Sequence, residues 1–326
     1  MGKSISFNSA FAEDIRGLIG EKQAVGYKYY KGTSQLKLFD YYVCNCARSN
    51  SVLTKEIVLG WAERSAYESK STQQGRISVI RGLAEYMSRL GKFAYFYPRG
   101  TDSIDRYSYT PYIFSESEIA AIFKVSDKYP LSRTSPYRHM ILPVIIRMLY
   151  CCGLRVSETT TLTIEDVNLA EGTLFIKGTK FGKERLIPMS DNLIKRCHDY
   201  SCRVLDRNVN TSYFFPSPYG GHYDSNTIYT HFRKIIWKAG ISHTGNGPRL
   251  HDLRHTFAVH CLKKWVVNGK DLTNCLPYLS AYLGHEDLRG TQHYLRLTAD
   301  LYPDIIHKVE QSCSWMIPEV VADETD

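Results

Sequence analysis

The chain has 326 residues, 43% of them hydrophobic, and carries 41 Lys and Arg against 33 Asp and Glu, a formal +8. That length suits two domains, each large enough for its own core, and the mild basicity suits a polyanionic partner. No apolar stretch reaches the roughly 20 residues of a membrane span, and the start lacks a long apolar signal core. Nine cysteines without a repeated spacing point to reduced thiols in a cytoplasmic protein rather than a disulfide framework.

The charge is unevenly spread. Residues 1–110 hold 16 bases and 10 acids, and residues 111–310 hold 25 and 19. The last 16 residues hold no base and four acids, Glu319, Asp323, Glu324 and Asp326. Both main regions are therefore basic and the tail is acidic.

Four amphipathic helices are predicted first. Phe11, Ile15, Leu18 and Ile19 recur at helical spacing in 9–26, and Gly26 is the stop. Leu36, Phe39, Tyr42 and Val43 stripe 33–47. Thr54 is the amino-cap of 55–66, with Ile57, Val58 and Trp61 inside. Ile77, Ile80, Leu83, Ala84 and Met87 stripe 71–90 before Gly91. Lys28, Lys31, Arg76 and Arg81 are the basic residues of this bundle available for phosphates.

Residues 98–114, with Pro98, Gly100, Ser103 and Pro111, read as a linker. Ser115 to Glu118 form a capping box that opens a helix. An apolar helix covers 137–152, with Pro143 either kinking it or standing near its start. Gly153 breaks it, and Leu154–Leu162 begin another. Two strands, 174–177 and 185–188, flank a Gly- and Lys-rich turn from Gly178 to Lys183. Residues 191–206 and 226–240 read as helices, the second capped by Asn226. Tyr213 to Pro216 form a short apolar segment, and helices follow at 251–267, 275–283, 291–297 and 302–315. The class is mainly α with a small β-sheet.

The chemistry concentrates in few places. Arg155 follows the Gly153 break at the mouth of a helix, where a phosphate is favoured, and Glu158 shares its face. His251 and Arg254 lie three apart on one helix. Leu283-Gly284-His285 is a tight turn presenting an imidazole, and Tyr294 follows nine residues later. Guanidiniums grip phosphate oxygens bidentately, and a tyrosine can attack phosphorus covalently. The helical spacing of His251 and His255 suits a metal, but the zincin glutamate and a third ligand are missing. No carboxylate cluster or nucleotide-binding glycine loop stands out, so neither metal nor cofactor is expected.

Five ordered elements resemble the tyrosine recombinases, or phage-type integrases. They are Gly153–Glu158, the Gly178–Pro188 hairpin, His251–His255, Leu283–His285 and Tyr294. The resemblance covers about residues 111–310. It implies a helical core-binding, SAM-like DNA-binding domain at 1–97, the linker 98–114, a catalytic domain at 115–318 and the acidic tail 319–326. It further implies that Arg155, Arg254 and His285 bind the scissile phosphate, with His251 either doing the same or helping to take the tyrosine proton. Tyr294 would be the nucleophile, ahead of Tyr282 and Tyr302, which lack the spacing. Lys180 would be the general acid, with Lys177 and Lys183 as rivals. The implied partners are double-stranded DNA with specific recombination sites and a homo-tetramer in a synaptic complex, with room for an accessory directionality protein. A topoisomerase of the type IB kind and an inactive DNA-binding scaffold are the competing functions. The first would rejoin the strand it cut, and the second would lack an arginine or the tyrosine.

Overall fold

The computed structural model describes residues 6–46, 51–99, 110–177, 184–206, 211–245, 247–285 and 289–301. The chain forms two compact units, Met1–Tyr109 and Thr110–Asp326.

The first unit holds α1 (Ala12–Ala24), α2 (Tyr30–Asn45), α3 (Lys55–Ala62) and α4 (Lys70–Arg89). Their stripes meet in one core of Phe11, Ile15, Leu18, Leu36, Phe39, Ile57, Trp61, Leu83 and Met87. Phe39 meets Trp61 edge-on at 5.4 Å, the arrangement that ring quadrupoles favour. Thr54 caps α3 by accepting from the Ile57 amide. Two of the four candidate phosphate contacts are already engaged. Arg76 forks onto Glu68 at 2.7 and 2.6 Å and lies over the Trp61 ring. Arg81 donates to the carbonyls of Tyr97 and Pro98. Lys28 and Lys31 remain exposed.

The second unit opens with α5 (Glu116–Asp127). Its capping box forms as expected, Ser115 N–H donating to Glu118 at 2.8 Å and Glu118 N–H donating to Ser115 at 3.2 Å. α6 (Arg138–Cys151) encloses Pro143, so the helix starts five residues before the proline rather than at it. α7 (Val156–Thr160) is a single short turn, not the longer helix expected through Leu162. The Leu162 carbonyl instead accepts from the Phe214 amide, which takes the chain out of helix.

A three-stranded antiparallel sheet follows in the order β1 (Val167–Asn168), β2 (Thr173–Ile176) and β3 (Arg185–Pro188). Leu174 pairs with Ile187, and Ile176 with Arg185. β1, only two residues long, carries no periodicity and was invisible in the sequence. α8 (Asp191–Tyr200) continues as a wider turn through Leu205. α9 (Ser225–Lys238) is capped by Asp224, whose carboxylate accepts from the Asn226 amide at 2.8 Å. The expected cap, Asn226, is inside the helix; a carboxylate two residues earlier satisfies the orphan amide first.

α10 (Asp252–Val267), α11 (Leu272–Leu283) and α12 (Arg289–Leu301) complete the described fold. Ala258, Leu262, Leu276, Leu279, Leu283, Tyr294 and Leu297 form their shared core. A larger core joins α5, α6, the sheet, α8 and α9. The expected helix at 302–315 and the acidic tail lie outside the described residues.

Candidate active site

Gly153 sets the site's first corner. Its φ is +57°, and a Cβ there would meet Phe257 Cδ1 at 2.5 Å. Only glycine allows this turn against α10 without strain. The turn delivers Arg155 to the amino-terminal cap of α7. One turn on, Glu158 accepts the Arg155 amide at 2.9 Å and its guanidinium at 2.7 Å.

Glu158 is the buried hub of three arginines. Arg185, on β3, forks onto both its oxygens at 3.1 and 2.7 Å and donates through Nε to the Tyr282 carbonyl at 2.9 Å. Arg254, on α10, stands 4.0 Å from it. Burial alone would raise the Glu158 pKa; the hydrogen bonds from Arg185 and Arg155 outweigh that and hold it below the ordinary 4.5. The site therefore keeps an ionised carboxylate that orients cations without neutralising all of them.

Arg254 is 2% exposed. It donates to the Gly153 and Leu283 carbonyls, at 2.8 and 2.5 Å. Arg155 donates to the adjoining Gly284 carbonyl at 3.4 Å. Both guanidiniums thus rest on backbone oxygens of two chain reversals, at Gly153 and Gly284. Gly284 ends α11 at φ +65°. Burial and the neighbouring Arg155 lower the Arg254 pKa to about 10, which leaves it charged at neutral pH.

The imidazoles and the tyrosine close the cluster. His285 follows Gly284 and bonds Thr291 of α12 through Nδ1 at 2.9 Å. Tyr294, 3% exposed on α12, lies nearly parallel to the His285 ring, with centroids 6.0 Å apart. Its hydroxyl is 3.1 Å from His255 Nδ1. Burial raises the Tyr294 pKa, and the positive charges of Arg254 and Arg155 only partly offset this. His251 sits at the cap of α10, its ring edge-on to His255 at 4.8 Å. One side of His251 stays exposed. Desolvation on the packed side, with Arg254 and Arg155 nearby, lowers its pKa to about 4. His255, deeper and ringed by His251, His293, Arg254 and His285, falls to about 3. Both rings are neutral at pH 7.

The structure thus brings Arg155, His251, Arg254, His285 and Tyr294 together. Lys180 and its rival Lys183 lie outside the described residues. The other rival, Lys177, is paired to Asp166 at 2.6 Å. Two participants were not selected from sequence. Arg185 gives no local cue, because its partners are 27 and 97 positions away. His255 stands one turn after His251, and that helical spacing is the only local cue to its place beside Tyr294.

Comparison with known proteins identifies the family. The family model described as the phage integrase family matches residues 113–300. A putative integrase/recombinase, y4rB, of Sinorhizobium fredii is 28% identical over 312 residues, 93% of this chain and 98% of that protein. The tyrosine recombinase XerD of Pseudomonas putida is 30% identical over 239 residues, 72% of this chain and 74% of its own length. The fold is shared with the XerH site-specific recombinase in a post-cleavage complex with its palindromic difH substrate. There the TM-score is 0.62 at 18% identity, covering 97% of this chain and 92% of that one. An α-helical unit with a small antiparallel sheet, built around an arginine cluster, is the class the fold defines. The chain belongs to the phage integrase family, the tyrosine-type site-specific DNA recombinases.

Proposed function

We propose that this chain exchanges DNA strands through a 3′-phosphotyrosyl link on Tyr294, in the integration, excision or transposition of a mobile element. The observation that carries the reading is the packing of one buried tyrosine hydroxyl among Arg254, Arg155 and a ring of histidines drawn from three separate segments.

In this reading Arg155, Arg254 and His285 hold the scissile phosphate and stabilise the charge that grows on its oxygens. Both guanidiniums donate to backbone carbonyls, and a phosphate would replace those with stronger, charge-assisted bonds. The Tyr294 oxygen attacks phosphorus, and the bond to the 5′ oxygen breaks. Lys180 gives that oxygen its proton. His251 stands at the rim as a further phosphate contact. A 5′-hydroxyl from a second duplex then reverses the step, so the bond energy is conserved and no nucleotide is consumed.

Residues 1–97 act as the core-binding domain, residues 98–114 as the linker, residues 115–318 as the catalytic domain and residues 319–326 as the acidic tail. One site cuts one strand, so exchange between two duplexes requires four protomers on DNA. The enzyme works in the cytoplasm, with an accessory protein setting direction where one is needed.

The test is strand exchange between two duplexes carrying the ends of the chain's own genetic element, in EDTA and without nucleotide. Recombinant joints are expected. Relaxation of supercoils with no exchanged product would favour the topoisomerase reading instead.

A further inference from the structure

When the Tyr294 oxygen bonds phosphorus, its proton must leave, and the surroundings restrict where it goes. Arg254 and Arg155, the cations beside that oxygen, carry only donors. His285 has Nδ1 committed to Thr291, and its ring lies almost parallel to the tyrosine ring, 24° between planes. A stacked imidazole directs its nitrogens in its own plane, away from the neighbouring ring's face. His251 contacts the cluster edge-on through His255. The Tyr294 hydroxyl takes a hydrogen bond from Arg254 and lies 3.1 Å from His255 Nδ1; of these two partners only the imidazole nitrogen can accept a proton.

A neutral imidazole offers one donor and one acceptor. With guanidiniums crowding the tyrosine oxygen, the hydroxyl is the donor, Nδ1 the acceptor, and Nε2 carries the ring proton. We propose that His255 is a further catalytic residue, accepting the Tyr294 proton as the strand is cut and returning it as the strand is rejoined. This rests on Tyr294 being the nucleophile.

The step balances. The bond from Tyr294 Oη to phosphorus forms, the bond from phosphorus to the 5′ oxygen breaks, and the tyrosine proton moves to His255 Nδ1. The general acid supplies the separate proton that the 5′ oxygen takes. On rejoining, each proton retraces its path. The groups facing His255 are His251 and Arg254 from the start of α10, His293 and Tyr294 from α12, and His285 ahead of α12. That crowded, cationic setting keeps the ring neutral in the resting site, ready to accept. A phosphodiester seated on Arg155 and Arg254 brings a negative charge that counters the cationic field, and so raises the ring's proton affinity when it is needed.

The experiment follows single-turnover adduct formation on nicked duplexes that span the ends of the chain's own genetic element, from pH 6 to 9. Wild type, His255→Asn, His251→Asn and Tyr294→Phe run in parallel. Asparagine places an acceptor near the Nδ1 position but cannot take a proton. His255→Asn is expected to be about 10²-fold slower at pH 7. Its rate should climb close to tenfold per pH unit, because the tyrosine must then ionise to solvent, while wild type stays flat. The defect should persist on a 5′-bridging phosphorothiolate, whose leaving sulfur needs no acid. A His255→Asn rate equal to wild type, or lower by one constant factor at every pH, overturns the proposal. So does the steep pH slope appearing in His251→Asn instead. An adduct surviving in Tyr294→Phe would overturn the nucleophile assignment, and this proposal with it. If His255→Asn does not fold, nitrogen-15 histidine spectra of wild type and Tyr294→Phe decide the matter. The ring whose Nδ1 signal moves must be protonated on Nε2; protonation on Nδ1 would refute the assignment.

Discussion

Glu158 shows how one side chain organises a cationic site. Its side chain is 4% exposed and accepts from Arg185, itself 9% exposed, and from Arg155. Removing one partner of a buried pair leaves the other's charge uncompensated, which costs about 3–5 kcal/mol. Glu158→Gln keeps the shape and loses the charge. It should lower unfolding free energy in urea by about 3 kcal/mol and abolish recombination, because Arg155 and Arg185 lose their common anchor. A loss under about 1 kcal/mol would mean that the pair behaves as a solvent-screened surface bridge. The sequence placed Glu158 on the Arg155 face because three residues is a helical repeat. It could not supply Arg185, which reaches Glu158 from strand β3. The contact of His255 with Tyr294 is hidden for a related reason: the two are 39 positions apart, and local periodicity says nothing about such pairs.

At the scale of elements, the helices were legible wherever an apolar stripe ran for two turns or more, as in α2 and α4. Their ends were less so, because a cap is chosen by competition among neighbouring side chains. At α9 the competitors are Asp224 and Asn226, and the structure gives the cap to Asp224. Asp224→Ala should therefore destabilise the second unit by about 1 kcal/mol. Asn226→Ala, at an exposed helix position, should change stability by less than about 0.5 kcal/mol. Denaturant midpoints of the two variants check this, and the reverse order would return the cap to Asn226. The short elements β1 and α7 escaped the sequence because two and five residues are too few for any period to emerge. α7 nevertheless shapes the candidate site, since its single turn fixes both Arg155 and Glu158.

For the whole molecule, buried neutral histidines set the response to acid. His231, 8% exposed and bonded to the Tyr129 hydroxyl at 2.6 Å, has its pKa lowered to about 4 by burial and by Arg138 and Lys234. The folded value lies below the unfolded 6.5, so the unfolded state binds more protons as pH falls. The stabilisation is complete above about pH 6.5 and is lost between there and about pH 4. His231 alone should remove about 2 kcal/mol at pH 5, and His255 acts in the same direction. Thermal unfolding of the second unit should therefore occur at lower temperature at pH 5 than at pH 7. His231→Asn should weaken that dependence; an unchanged pH slope would mean that His231 already titrates normally in the folded state.

Whether Tyr294 forms the covalent bond to DNA is decided by trapping and mapping that bond. Wild type and Tyr294→Phe would be incubated with nicked duplexes from the ends of the chain's own element, without added metal, and then denatured. An adduct is predicted for wild type only, and proteolysis with mass spectrometry should find the nucleotide on the peptide that contains Tyr294. An adduct of equal yield in Tyr294→Phe, or one mapped to another tyrosine, would contradict the account.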